Sequence, residues 1–209
     1  MKVIQMELGN FATNTYIVCD EDLNAVIIDP AAEAKKIIST IEKNNLKPKF
    51  VILTHGHPDH VGALYELKEK YNLKVYINEK DQEMLQTNST YFGPMLGLDI
   101  RDVKGDFYLK DGQELSLGDL KFKIIETPGH TKGGVCILIE NILFSGDTLF
   151  LGSMGRTDFP GGDEKEIFSS LKKLMQLPDE TIVLPGHGPK TTIGYERKYN
   201  PYVRMANNY

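Results

Sequence analysis

Residues 54–60 read Thr-His-Gly-His-Pro-Asp-His, and they follow directly on the apolar run Phe50-Val51-Ile52-Leu53. The whole chain has 5 histidines, and three of them fall in this one turn. An apolar run of that length, closed by glycine and proline, is a buried strand ending in a turn. The other two histidines repeat the arrangement: His130 follows FKIIE in ETPGHT, and His187 follows TIVL in PGHG. An aspartate does the same, since NILFSGD sets Asp147 after a strand through Ser-Gly. Turns at one edge of a sheet can converge, and glycine lets the backbone bend tightly there.

Packing alone does not explain this distribution. A lone histidine is commonly a hydrogen-bonded structural residue, and His-x-His is a weak signal. Every histidine in a post-strand turn, with Asp59 and Asp147 in matching places, points to metal binding. Imidazole with carboxylate and no thiolate suits zinc first, with iron or manganese also possible, and argues against a structural zinc site. The donors are His55, His57, Asp59, His60, His130, Asp147 and His187. They are too many for one tetrahedral ion and suit two divalent ions sharing a carboxylate, ~3.5–4 Å apart. By spacing, His55 and His57 can grip one ion, while Asp59 and His60, at the mouth of the following helix, can reach the other.

The rest of the composition narrows the class. At 209 residues the chain fits one domain, 1–209, given a soft prior of ~150 residues per domain. Net charge is −5 and no Lys/Arg run exceeds two, which argues against a nucleic-acid partner. Cys19 and Cys136 lie in the apolar runs YIVCD and GVCILI and read as buried thiols rather than a disulfide scaffold. MKVIQMELGN has no signal-peptide core, and no apolar stretch approaches the ~20 residues that span a bilayer. No membrane partner is expected, and the expected compartment is the cytoplasm.

Strand patterns run at 2–8, 14–19, 24–29, 49–53, 73–77, 105–109, 113–117, 120–126, 134–140 and 180–184. Helical patterning occupies 31–45, 61–71 and 163–177; in the last, Ile167, Phe168, Leu171, Leu174 and Met175 form one apolar side, Asp163 can cap it and Pro178 stops it. Hairpin-like series mixed with strand–helix alternation predict an α/β sandwich of mixed sheets. The stretch 87–102 lacks periodicity; its Tyr91, Phe92 and Met95 can wall a pocket or simply cover the sheet. The tail 194–209 holds four tyrosines and reads as a docked helix or a homodimer contact.

His55-x-His57-x-Asp59-His60 with His130, Asp147 and His187 resembles the full motif of the metallo-β-lactamase superfamily, and NTYIV (14–18) and IIDPA (27–31) resemble its opening strands. The resemblance implies an αββα sandwich of two mixed sheets flanked by helices. It assigns His55, His57 and His130 to a first metal, Asp59, His60 and His187 to a second, and Asp147 to both. Residues 147–163, DTLFLGSMGRTDFPGGD, resemble the glyoxalase II branch, the hydroxyacylglutathione hydrolases of short bacterial type. That implies hydrolysis of a small-molecule thioester such as S-lactoylglutathione, with Arg156 contacting the glutathione portion. Longer glyoxalase II enzymes carry a C-terminal helical domain that supplies most glutathione contacts. This chain ends soon after His187, so a loose grip on the thiol is expected.

In such an enzyme a metal lowers the pKa of bound water toward ~7. Attack on a thioester then expels a thiolate, a good leaving group that needs no separate general acid. Asp147 and Asp59 serve as ligands in the reacting centre, with proton handling a secondary role for Asp59. Persulfide dioxygenases resemble the chain in the same motif and in a GRTDF-like loop; they imply a single iron at His55, His130 and Asp147. PGG (160–162) and GHGP (186–189) favour the hydrolase. Amide cleavage by a β-lactamase needs a protonated leaving nitrogen, the acidic balance disfavours an RNA nuclease, and a non-catalytic scaffold would be expected to have lost ligands.

Overall fold

A computed structural model of the chain describes residues 1–207; Tyr209, one of the four tail tyrosines, lies outside them. The chain divides into two compact units, residues 1–109 with 116–120 and residues 110–115 with 121–209. Each is built around a six-stranded mixed sheet flanked by helices, the α/β class expected.

The first sheet runs in sequence order: β1 (Lys2–Leu8), β2 (Thr13–Cys19), β3 (Asn24–Ile28), β4 (Lys47–Ile52), β5 (Lys74–Asn78) and β6 (Phe107–Leu109). β1, β2 and β3 pair antiparallel, and β3 to β6 pair parallel. Every residue of β2 is buried, which is why TNTYIVC reads as a continuous rather than an alternating run. Helix α1 (Ala34–Lys43) lays Ile37 and Ile41, one turn apart, on the core. It begins three residues later than the pattern 31–45 suggests. Asp29 (φ 48°) and Glu33 (φ 53°) are both left-handed, so the chain cannot wind until it has passed Glu33. The pattern 61–71 is likewise split into α2 (Pro58–Val61) and α3 (Leu64–Tyr71). The Ala63 N–H bonds to Pro30 O at 3.0 Å instead of continuing the ladder. A β-carbon on Gly62 would stand 2.4 Å from Ala31 O, so that close approach requires glycine. The aperiodic stretch after α4 (Gln82–Thr87) holds one short helix, α5 (Phe92–Met95).

The second sheet consists of β7 (Glu114–Leu117), β8 (Leu120–Glu126), β9 (Val135–Ile139), β10 (Ile142–Gly146), β13 (Ile182–Pro185) and β14 (Thr191–Thr192), in the order β14-β13-β10-β9-β8-β7. β10 runs parallel to β13 and antiparallel to β9. A two-stranded ribbon, β11 (Leu149–Phe150) with β12 (Ser153–Met154), follows β10. Helix α6 (Glu164–Leu174) starts where expected, with Asp163 Oδ1 accepting the Glu166 N–H at 2.9 Å. Its Ile167, Phe168, Leu171 and Leu174 are buried with Val203 and Ala206 of α8 (Pro201–Asn207), which follows α7 (Ile193–Tyr199). As far as Asn207 the tail is thus docked helix. Cys19 and Cys136 are buried thiols, and burial pushes Cys136 up to about 11. Among the described residues no helix is long and apolar enough to cross a membrane.

Candidate metal centre

In the first unit, β4 delivers Thr54 to His60 into the turn that opens α2. The rings of His55 and His57 stand 4.9 Å apart at 90°, and those of His55 and His60 4.2 Å apart. One buried carboxylate orders two of them. Asp29 Oδ1 accepts the Thr54 N–H at 2.8 Å, while Oδ2 accepts the Thr54 hydroxyl at 2.5 Å and His60 Nδ1 at 2.9 Å. An ionised carboxylate only accepts, so His60 Nδ1 carries a proton, and in the neutral ring Nε2 then holds the lone pair. The Thr54 hydroxyl uses its one proton in the hydrogen bond to Asp29. It therefore accepts from His55 Nδ1 at 3.0 Å, which leaves the His55 lone pair on Nε2 as well.

Asp29, His55 and His60 present donor atoms within 4.8 Å of one another, all three residues buried. Three donors already converge on the Asp29 oxygens, the environment of a carboxylate that orients its neighbours. Asp59 Oδ2 lies 3.7 Å from His60 Nε2 and accepts the Thr13 hydroxyl at 3.3 Å. Gly56, between His55 and His57, is held through both peptide groups: its N–H donates to Asp81 Oδ2 at 3.1 Å and its carbonyl accepts Asn88 Nδ2 at 2.8 Å. Phe92 packs its ring 5.2 Å from that of His57, so of the aromatic pocket-wall candidates it is buried against a donor, whereas Tyr91 is exposed.

In the second unit, the turns after β8, β10 and β13 bring His130, Asp147 and His187 together. Asp147 Oδ2 lies 3.5 Å from His130 Nε2 and 3.5 Å from His187 Nε2. Donors on one tetrahedral ion with bonds near ~2.1 Å stand about 3.4 Å apart, so the spacing fits ligands to metal. His130 Nδ1 donates to the main-chain carbonyl of Arg156 at 2.8 Å, which places its lone pair on Nε2 too. The turns are tied to each other. Thr127 and Thr148 share a hydroxyl bond at 2.9 Å, and the Gly186 N–H donates to Gly146 O at 2.8 Å.

Arg156 is exposed and already engaged. Its guanidinium makes a two-pronged bond to Asp158, at 2.6 and 2.7 Å, and sits 3.7 Å from the Phe159 ring centroid. That bond holds the Asp158 carboxyl down to about 2. An incoming anion must share the arginine with Asp158.

In each unit, imidazoles held at Nδ1 beside a carboxylate fit a divalent ion of the zinc or iron kind; such orienting bonds accompany most metal-bound histidines. The sequence reading missed the residues that do the orienting, Asp29, Thr54, Asp81, Asn88 and Thr13. Asp29 carried a signal all the same: IID-P is another strand closed by an aspartate, the pattern that marked Asp147.

The chain matches the family model described as metallo-beta-lactamase superfamily over residues 8–187. It is 39% identical to a hydroxyacylglutathione hydrolase, GloC, of Haemophilus influenzae, covering 92% of this chain and 93% of that one. Among solved structures it resembles the BLEG-1 B3 metallo-beta-lactamase (TM-score 0.89, 36% identity, 97% and 99% of the two chains). It also resembles a di-iron-bound form of TTHA1623 (0.88, 37%, 96% and 100%) and ETHE1 from Myxococcus xanthus (0.83, 28%, 100% and 91%). Strand-end histidines, two mixed sheets and these matches agree: the chain belongs to the metallo-β-lactamase superfamily, whose fold it has, and is a metal-binding, glyoxalase II-like member of it.

Proposed function

We propose that the protein is a thioester hydrolase, acting on a small-molecule substrate such as S-lactoylglutathione, and that the two donor sets serve one binuclear centre. His55, His57 and His130 would hold one divalent ion, Asp59, His60 and His187 the other, with Asp147 between them. The observation that carries this reading is the Asp147 carboxylate oxygen standing equally far from His130 Nε2 and His187 Nε2. One oxygen close to two imidazole donors would suit a bridging ligand, and the reading assigns those imidazoles to different ions. Bound there, the ions supply Lewis acidity and hydroxide at neutral pH.

The chain's own contribution is orientation. Asp29 and Thr54 fix His55 and His60, the Arg156 carbonyl fixes His130, and the Thr13 hydroxyl turns Asp59. All 5 histidines are committed as donors. None is left as a general acid, which suits a thiolate leaving group and not an amine. The similarity to the Haemophilus hydroxyacylglutathione hydrolase supports the same substrate class.

A second reading, a mononuclear-iron persulfide dioxygenase, uses His55, His130 and Asp147 alone and draws on the loop Gly155–Phe159. Parallel incubations with S-lactoylglutathione and with glutathione persulfide under oxygen decide between them. Thioester loss with oxygen uptake at background supports the hydrolase; oxygen uptake with an intact thioester overturns it.

A further inference from the structure

Glu196, in α7 of the second unit, is 0% exposed, and the partners of its side chain are uncharged. Oε2 accepts the Gly152 N–H and Asn200 Nδ2, both at 2.8 Å, and Oε1 accepts the Thr191 hydroxyl at 2.6 Å. Asn200, also 0% exposed, donates from the same Nδ2 to Ser153 O at 2.9 Å. Gly152 lies in the turn of the β11–β12 ribbon and Ser153 opens β12. Two buried polar side chains of the tail therefore grip the ribbon tip. Docking the tail needs no acid, since Val203 and Ala206 pack on α6 with apolar surface alone. A buried carboxyl is costly unless its oxygens are met by donors, so its presence here points to the segment it holds.

That segment joins two parts of the metal centre. Asp147 stands two residues before β11 and Arg156 two residues after β12, and the Arg156 carbonyl accepts His130 Nδ1–H at 2.8 Å. The base of the ribbon is tied by Ser145 Oγ–H to Leu149 O at 2.8 Å and by Gly155 N–H to Thr148 O at 3.3 Å. Phe150, in β11, holds its ring 6.2 Å from that of His187. A tilt of the ribbon would thus disturb Asp147, the Arg156 carbonyl and the flank of His187 together.

We infer that Glu196, with Asn200, is a positioning residue of the metal centre: it fixes the ribbon tip so that Asp147 and the carbonyl orienting His130 stand in place. Neither residue touches a donor. The inference rests on His130 and Asp147 holding metal, as they do in both the hydrolase and the dioxygenase readings, and it gives the docked tail a part in the site.

The test compares four variants with the parent. Glu196→Met keeps the length of the side chain and removes its acceptors. Glu196→Gln keeps one oxygen for Gly152 and Asn200 and turns its NH2 to the Thr191 hydroxyl, which then accepts. Val203→Ala loosens α8 on α6 and leaves the clamp alone. Asn200→Ser keeps a cap for α8 but is too short to hold Ser153, and it carries the test if Glu196→Met does not fold. In competition with a chromophoric chelator, Glu196→Met should bind zinc about 10-fold or more weakly, and Glu196→Gln and Val203→Ala within about twofold of the parent. In ¹⁵N NMR of the metal-free protein, His130 should be a single Nδ1–H tautomer in the parent, Glu196→Gln and Val203→Ala, and a mixture in Glu196→Met. Asn200→Ser should move both readouts in the direction of Glu196→Met. Unchanged zinc affinity and tautomer in Glu196→Met and Asn200→Ser, no rescue by Glu196→Gln, or equal effects in Val203→Ala reduce the clamp to tail packing and overturn the inference. Neither readout involves a substrate, so a failed thioester assay leaves them untouched.

Discussion

Replacing Asp29 by asparagine tests the orienting network at the residue on which it converges. The carboxylate is 2% exposed and accepts three bonds: Thr54 N–H on Oδ1, and the Thr54 hydroxyl and His60 Nδ1–H on Oδ2. An amide of the same size keeps one acceptor. Its best placement puts that oxygen where two donors converge and turns the NH2 toward the Thr54 N–H, leaving one buried donor facing another. That loss, with charge assistance removed from the remaining bonds, costs about 2–4 kcal/mol, a large part of a typical 5–15 kcal/mol stability. It also unfastens His60 directly and His55 through Thr54. Loss of such orienting partners commonly weakens metal binding 10–100-fold. Chelator competition should show that weakening in Asp29→Asn, and urea unfolding of the metal-free protein should show the stability loss. ¹⁵N NMR of the metal-free imidazoles should show Nε2-unprotonated His55 and His60 in the parent and mixed tautomers in the variant. If Asp29→Asn folds and holds metal within about twofold of the parent, the network is structural only and the reasoning fails.

Metal analysis after purification from metal-replete medium should find close to two transition-metal ions per chain; a single tightly held iron would favour the dioxygenase. Gly155→Ala should abolish metal binding by the second unit's donors, since the added carbon would stand 1.8 Å from Asp147 O and 3.1 Å from the His130 β-carbon; retention of full metal content would refute this. Arg156→Ala keeps the main-chain carbonyl that fixes His130, so metal content should hold while KM for acidic thioesters rises. An unchanged KM would remove Arg156 from the substrate. Cys136 titrates at about 11 in the fold against 9.0 for an ordinary thiol. Above pH 9 the unfolded chain loses this proton first, so stability should fall by about 1.4 kcal/mol per unit up to pH 11, a slope that Cys136→Ala should remove in pH-dependent urea melts.

The clustering of the candidate donors was legible because they obey a positional rule: each ends a strand, and glycine or proline marks the turn. THGHPDH, TPGHT, FSGD and PGHG all carry that punctuation. Helix α6 was legible through its apolar spacing and the Asp163 cap. The orienting residues were not, because a second-layer contact has no periodicity of its own. Asp29 meets His60 across 31 residues and Asn88 meets Gly56 across 32. Helix boundaries failed where backbone contacts override propensity, as where Gly62 and Ala63 pack on Pro30 and Ala31 and divide what reads as one helix. The alanines of 31–34 favour helix, yet the left-handed turns at Asp29 and Glu33 delay it. Asp29 needs that turn, which aims its carboxylate at Thr54 and His60.

The choice between two ions and one rests on what happens to the donors that a mononuclear site leaves out. In that reading His60 and Asp59 lose their purpose, yet the fold spends structure on both. His60 is fully buried, with Nδ1–H fastened to Asp29, so in the neutral ring its Nε2 is an acceptor. Asp59 Oδ2, another acceptor, stands 3.7 Å away and is steered by the Thr13 hydroxyl, itself 0% exposed. Two acceptors at that distance in a site largely closed to water repel each other unless a cation or a proton lies between them. Packing needs alone would have been met by leucine at 60 and serine at 59 with less electrostatic cost. The proposed second ion accounts for all three observations: the fixed tautomer of His60, the anchored rotamer of Asp59 and the short separation between them. It also predicts which variant separates the readings. His60→Leu should halve the metal content of a binuclear hydrolase and cripple thioester turnover, whereas a mononuclear dioxygenase should keep its iron and its oxygen uptake. Full metal content and full thioester turnover in His60→Leu would leave the second ion without support.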